Sequence, residues 1–74
     1  MEVVAKNKIS GRTAQAIVAA VTKSGQCVLF CKDGRTINAG SLLGILSLVI
    51  LPGDTITITT ENNDSILEEL KTIL

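Results

Sequence analysis

The chain has 74 residues, a length at which one hydrophobic core forms a single domain over residues 1–74. Apolar residues make up 46% of the sequence and charged residues 19%, which argues against a disordered chain. Seven basic residues balance seven acidic ones, so a net charge of zero offers no electrostatic attraction for nucleic acid or an anionic membrane.

Some residue types are missing altogether. The sequence has no His, Trp or Tyr, so it lacks the usual general base near neutral pH and the commonest metal ligand. Cys27 and Cys31 lie four residues apart in a predicted strand, where their Cα atoms would be ~13 Å apart, too far for a disulfide. We therefore expect free thiols in a reducing compartment, no metal or cofactor, and no enzyme activity.

No apolar run approaches the roughly 20 residues of a membrane span. The N-terminal stretch MEVVAKNKIS has no apolar segment behind a basic start, so it does not match a signal peptide. Both observations predict a cytoplasmic protein.

The first half of the chain predicts a strand, a helix and a hairpin. Residues 2–6 are β-prone, and both Ser10 and Thr13 are able to cap the helix that follows. That helix ends near Gly25. Asp33-Gly34 then joins predicted strands at residues 26–32 and 35–38, the strongest short-range hairpin signal. The apolar stripe of the helix consists of Ala14, Ile17, Val18 and Val21.

The second half predicts a helix, a strand and a final helix. The stretch NAGSLLGILSL places Ser41 at a capping position, and the helix must stop before Pro52-Gly53. Residues 54–60 alternate between polar and apolar side chains, which predicts a strand with Ile56 and Ile58 facing inward. Ser65-x-x-Glu68 matches a capping box before an apolar helix face. The residues of that face are Ile66, Leu67, Leu70, Ile73 and Leu74.

The predicted order of elements is therefore βαββαβα. Helices that follow strands on one side of a small antiparallel sheet give an α+β open-faced sandwich. We expect four antiparallel strands with three helices on one face.

With this order, the sequence resembles the HPr family, the phosphocarriers of the bacterial sugar phosphotransferase system. The residues that carry the resemblance are DGRTINAGSLLGILSL at 33–48 and PGDTITI at 52–58. HPr proteins have a similar hairpin, then an Asn-x-x-Ser-Leu/Ile-Leu/Met-Gly-x-Met/Leu-Ser-Leu helix, then a Gly-Asp-Thr-Ile-Thr-Ile strand. The likeness covers nearly the whole chain and implies the HPr fold.

The sequence departs from this family at the phosphotransfer site. HPr proteins begin their first helix with Gly-(Leu/Ile)-His-Ala-Arg-Pro-Ala, whose His carries the phosphoryl group. Here the family His position falls on Arg12 or Thr13, depending on a one-residue choice of register, and the Arg position falls on Ala14 or Gln15. A chain without His is not a phosphohistidine carrier. The helix start with Arg12 either keeps an anion pocket without a nucleophile or is a solvated charge.

The resemblance also implies a regulatory position at Ser41. In HPr of many Gram-positive bacteria the corresponding Ser is phosphorylated by a dedicated kinase, and a catabolite-repression relative has lost the His but keeps this Ser. Phosphate at a helix N-terminus is favoured by the helix dipole. Ser41 is thus a candidate phosphorylation site, and the alternative is a helix cap alone.

Two apolar surfaces are left over. On the Ser41 helix, Ile45 and Leu48 are expected to face the core, with other leucines on the outer side, where HPr proteins bind their enzymes and regulators. The predicted partner-binding residues are Leu42, Leu43, Leu46, Arg12 and Gln15.

The second surface is an apolar patch on the helix-free side of the sheet. It either marks a homodimer contact or is a small exposed patch without a function. The patch consists of Cys27, Leu29 and Cys31, and Val4 is a candidate fourth member.

The leading hypothesis is a histidine-less, HPr-like regulatory or interaction module that binds proteins. By resemblance, its partners would be phosphotransferase system enzymes, HPr kinase or a transcriptional regulator. The alternative is a phosphotransferase component that carries phosphate on another residue. A β-grasp sulfur carrier is disfavoured, because its C-terminal Gly-Gly is replaced here by Ile73-Leu74.

Overall fold

The computed structural model describes residues 1–61 and 64–74, with the side chain of Asp64 outside that description. Its strands are β1 (Glu2–Val4), β2 (Val28–Lys32), β3 (Arg35–Asn38) and β4 (Thr55–Thr60). Its helices are α1 (Gly11–Ser24), α2 (Leu42–Ser47) and α3 (Asp64–Ile73). The order along the chain is the predicted βαββαβα. None of these helices has the length and apolar character needed to cross a bilayer.

The strands form one antiparallel sheet in the order β1-β4-β2-β3. Phe30 in β2 pairs with Ile58 of β4 on one side and with Ile37 of β3 on the other. Val3 of β1 pairs with Ile56 of β4 in the same way. Residues paired directly across antiparallel strands point to the same face, so these apolar side chains line one face of the sheet. The predicted α+β open-faced sandwich is confirmed.

The hydrophobic core lies between that face and the helices. Val28, Phe30, Ile56 and Ile58 are each at most 1% exposed, as their alternation with polar or half-buried neighbours predicts. The three helices and the connecting segments supply the rest of the buried core. These residues are Ala5, Ile9, Ala14, Ile17, Ala20, Val21, Ala39, Ile45, Leu48, Ile50, Ile66, Leu70 and Leu74.

Both ends of α1 follow from local chemistry. Of the two candidate caps it is Ser10 that lies at the N-cap, where its hydroxyl accepts a hydrogen bond from the Thr13 N–H at 3.4 Å. Gly25 ends the helix in the left-handed conformation, with φ 70°, and its N–H donates to the Thr22 carbonyl. The predicted helix stop at Gly25 is confirmed.

The Asp33-Gly34 turn is also confirmed. Asp33 and Gly34 have φ of 51° and 79°, the positive values that both central residues of a type I′ hairpin turn require. The turn closes on the Lys32–Arg35 pair and brings β3 alongside β2.

Several predicted boundaries differ from the structure. The strand predicted at 2–6 ends at Val4, because the Lys6 N–H turns away to donate to the Leu74 carbonyl. The strand predicted at 26–32 begins only at Val28, which leaves Cys27 outside it. The capping box prediction is wrong, because it requires Ser65 at the N-cap. Helix α3 begins at Asp64, so Ser65 lies inside its first turn.

Candidate functional site

Helix α2 begins at a serine cap held close to the sheet. The Ser41 hydroxyl accepts a hydrogen bond from the Gly44 N–H at 3.1 Å. A side chain at Gly44 would come within 3.3 Å of Ser41 and 3.4 Å of the Cβ of Ile37, so glycine permits this close approach. Ser41 is exposed, and its hydroxyl therefore both caps the helix and faces solvent.

The apolar side chains of α2 divide between the core and the surface. Ile45 is 1% exposed and Leu48 is 4% exposed, in agreement with their predicted inward orientation. Leu43 and Leu46 are 78% and 38% exposed, as expected for the outer side. Leu42 differs from the prediction, because it is half-buried and packs against the core. With only six residues, fewer than two turns, α2 is too short to separate its faces cleanly.

The exposed apolar surface continues beyond the helix to two residues that sequence reasoning missed. Val49 is 60% exposed and Leu51 is 44% exposed. We call Leu43, Leu46, Val49 and Leu51 the candidate docking surface. The sequence does contain one sign of this surface. Residues 36–53 include no charged side chain, and so long an uncharged segment has more apolar residues than the core of this domain can bury.

The start of α1 lies next to this surface. The Ile9 N–H donates to the Ile50 carbonyl at 3.1 Å, which ties the residue before the Ser10 cap to the segment after α2. Arg12 and Gln15 are both exposed on the first turns of α1. The structure thus places the helix start beside the segment that bears Val49 and Leu51.

Lys32 fixes the segment that follows α2. Its ammonium donates to the carbonyls of Leu48 at 3.1 Å and Val49 at 2.9 Å and lies 3.0 Å from Oδ2 of Asp54. These three acceptors match the three donors of a lysine, whose side chain is only 14% exposed. Oδ2 of Asp54 also accepts from the Leu51 N–H at 2.8 Å. We call this arrangement the Lys32 clamp.

A second cation binds the end of α2. The Arg35 guanidinium donates to the Ser47 carbonyl at 2.9 Å and to the Ser47 hydroxyl at 3.3 Å. Basic side chains at a helix C-terminus satisfy free carbonyls and complement the helix dipole. The hairpin residues Lys32 and Arg35 therefore hold the end of α2 against the sheet.

Replacing Asp54 with Asn should reduce the acid sensitivity of the fold. The hydrogen bond from Leu51, followed by that from Lys32, lowers the pKa of Asp54 from its usual value. A carboxyl group with a lowered folded pKa contributes stability above its unfolded pKa of about 4. That contribution is lost as pH falls through the lower, folded pKa. Urea unfolding followed by circular dichroism should show a smaller loss of stability on acidification in Asp54→Asn than in the wild type. Equal losses would contradict this account.

The predicted patch on the open face of the sheet is smaller than expected. Leu29 and Cys31 are half-buried in β2, where they pair with Thr59 and Thr57 of β4. Cys27 is exposed and precedes the strand, and both cysteines are free thiols. Val4 is 56% exposed, but it lies on β1, and the threonines of β4 separate it from Leu29 and Cys31 of β2. On the open face, the threonines of β4 thus lie between Val4 on one side and Leu29 and Cys31 on the other.

Among the described residues, no three His, Cys, Asp or Glu side chains come together in a way that could hold a metal ion. The described residues of the site offer hydrogen-bonded helix ends and an exposed apolar surface.

The fold and this surface define an HPr-like class of protein, which comparison with known proteins supports. The family model described as the PTS HPr component phosphorylation site matches residues 1–74. The chain is 38% identical over 64 residues to the HPr-like protein Crh of Halalkalibacterium halodurans, covering 86% of this chain and 76% of that protein. The chain belongs to the HPr family.

Solved structures agree with this assignment. The phosphocarrier protein HPr of Bacillus anthracis superposes with a TM-score of 0.87 at 37% identity, covering 100% of this chain and 93% of that one. The catabolite repression protein Crh of Bacillus subtilis gives a TM-score of 0.77 at 29% identity, covering 99% and 86%. That Crh structure is described as a domain-swapped dimer.

Proposed function

We propose that the chain is a cytoplasmic HPr-like interaction module that docks onto proteins and does not carry phosphohistidine. The observation that supports docking most strongly is the exposure of Leu43 at 78%, on the same short helix as the exposed Leu46. An exposed apolar side chain of so small a domain is buried only when a partner covers it. The absence of His from the sequence supports the second half of the proposal.

We also propose a different register at the phosphotransfer motif. The family pattern Gly-(Leu/Ile)-His-Ala-Arg-Pro-Ala fits residues 8–14 with Ile9 at the Leu/Ile position and Ser10 at the His position. Arg12 and Ala14 then match the family Arg and second Ala. This register, in place of Arg12 or Thr13, is supported by the burial of Ile9 and by the position of Ser10 immediately before α1.

The partners implied by family resemblance are phosphotransferase system enzymes, HPr kinase or a transcriptional regulator. Phosphorylation of Ser41 would place a dianion at the N-terminus of α2, where the Gly44 N–H already points to the hydroxyl. The exposure of Ser41 is compatible with access by a kinase.

Incubation with HPr kinase and ATP, followed by mass spectrometry, tests whether the chain is regulated through phosphorylation of Ser41. The wild type is expected to gain the mass of one phosphoryl group, and Ser41→Ala is expected to gain none. Ser47→Ala is the matched control, because Ser47 is an exposed serine at the opposite end of α2 and should leave the gain intact. An unmodified wild type beside a modified HPr standard would contradict regulation through Ser41.

The second candidate function is phosphate transfer on a residue other than His. It is favoured only by the position of the Ser10 hydroxyl at the start of α1, where its oxygen accepts from Thr13. A phosphate ester on Ser10 is far less labile than a phosphoramidate, which argues against transfer. Phosphoenolpyruvate and Enzyme I should therefore leave the chain unmodified, while an HPr control becomes phosphorylated.

The similarity to Crh, described as a swapped dimer, supports a homodimer of this chain as a further proposal. β1 has three residues and is an edge strand that pairs with β4, which supports the idea that it can exchange between two copies. Analytical ultracentrifugation over a range of concentrations distinguishes a monomer from such a dimer.

A further inference from the structure

Val49 has a backbone conformation that its side chain disfavours. Its φ is 53°, in the left-handed region, where a β-branched residue is a steric outlier. Val49 directly follows Leu48, the C-cap of α2, and its N–H donates to the Leu46 carbonyl at 3.3 Å. Helices commonly end with glycine at this position, because glycine adopts the left-handed conformation without strain.

The strain at Val49 is not compensated by burial of its side chain. Val49 is 60% exposed, so its two methyl groups lie mostly in water beside the other members of the docking surface. The conformation is instead maintained by the Lys32 clamp, in which the Lys32 ammonium binds the Val49 carbonyl at 2.9 Å. Strain that surrounding contacts hold in place is concentrated at functional sites in proteins.

We propose that Val49 is a partner-contact residue of the docking surface, displayed at the expense of stability, and that Lys32 is its positioning residue. This inference rests on the proposed function and extends it to a side chain outside α2. The partner is a folded protein whose contact area is apolar, with carboxylates at its rim.

The chemistry of that partner follows from the charges around the docking surface. Residues 36–53 contain no charged side chain, and the exposed Arg12 lies on the neighbouring start of α1. Among the side chains that the structure describes, neither Lys8 nor Arg12 forms an ion pair. Carboxylates on a partner would complement these two cations. A second copy docking symmetrically through the same surface would bring like cations together, which is unfavourable.

The test compares three substitutions of one residue. Val49→Gly and Val49→Ala both remove the contact, whereas Val49→Ile keeps a β-branched apolar side chain. Binding to HPr kinase, measured by isothermal titration calorimetry, should weaken by about tenfold in Val49→Gly and Val49→Ala. Val49→Ile should bind as the wild type does.

Thermal unfolding provides the readout that a purely structural role would not produce. Val49→Gly relieves the strain and should raise the melting temperature by about 4 °C, even though it weakens binding. Val49→Ala keeps a Cβ in the left-handed region and should gain less than half of that increase. Opposite changes of stability and binding in the same variant are the expected signature.

Several outcomes would overturn the inference. Unchanged kinase binding in Val49→Gly, in an assay where Leu43→Asp abolishes it, would overturn this inference but leave the proposed function standing. No increase in melting temperature would overturn the strain argument. A wild type that fails to bind the kinase would overturn the proposed docking to it together with this inference. Self-association of the wild type that Val49→Gly abolishes would replace the protein partner with a second copy and overturn the partner assignment.

Discussion

Replacing Phe30 with alanine should leave the domain largely unfolded at room temperature or only barely folded. Phe30 is 0% exposed in the central strand β2, where it pairs with Ile58 and Ile37. Removing a buried aromatic ring costs about 3–5 kcal/mol, which includes the cavity left behind. Small domains are stable by only about 5 kcal/mol at the lower end of the usual range, so the loss takes most of the total.

Urea unfolding followed by far-ultraviolet circular dichroism measures this effect, since the chain has no Trp or Tyr to report by fluorescence. Leu43→Ala is the matched control, because it also truncates a large apolar side chain, but one that is 78% exposed. Its free energy of unfolding should stay within about 0.5 kcal/mol of the wild type. Similar losses in the two variants would contradict the position of the core.

Leu43→Asp should abolish docking without unfolding the domain. A carboxylate at the centre of an apolar contact would be desolvated without a partner, and central contact residues often contribute about 2 kcal/mol or more to binding. We therefore expect the affinity for HPr kinase to fall at least about thirtyfold. Because Leu43 is exposed, circular dichroism and the melting temperature should change little.

Val4→Asp is the control for this substitution. Val4 is also an exposed apolar residue, at 56%, but it lies on β1 and pairs with Thr55, away from α2. The same charge introduced there should leave kinase binding unchanged. Equal losses in both variants would point to a general charge effect and contradict docking through α2.

Much of the fold was predictable because local chemistry and the hydrophobic pattern agree along the chain. The Asp33-Gly34 turn, the Gly25 helix end and the inward alternation of Ile56 and Ile58 each have a local cause. Boundaries were less predictable where tertiary contacts decide them. The hydrogen bond from Lys6 to Leu74 ends the first strand, and no pattern within residues 2–6 indicates it.

The candidate site was only partly predictable, since its limits depend on packing. Helical spacing separated inward Ile45 from outward Leu43, but it did not show that Leu42 would pack against the core. Val49 and Leu51 were missed because they follow the helix, where its periodicity no longer applies. The Lys32 clamp joins residues 16, 17 and 22 positions apart in the sequence, a distance at which short motifs carry no information.

The proposed function requires that proteins dock on the docking surface and the adjoining start of α1. Nuclear magnetic resonance spectra of the ¹⁵N-labelled chain, recorded during titration with unlabelled HPr kinase, test it most directly. We expect shift and intensity changes concentrated at Leu43, Leu46, Val49, Leu51 and Arg12. Changes centred on Leu29 and Cys31 of the open face, or no changes at kinase concentrations that alter an HPr control, would contradict it.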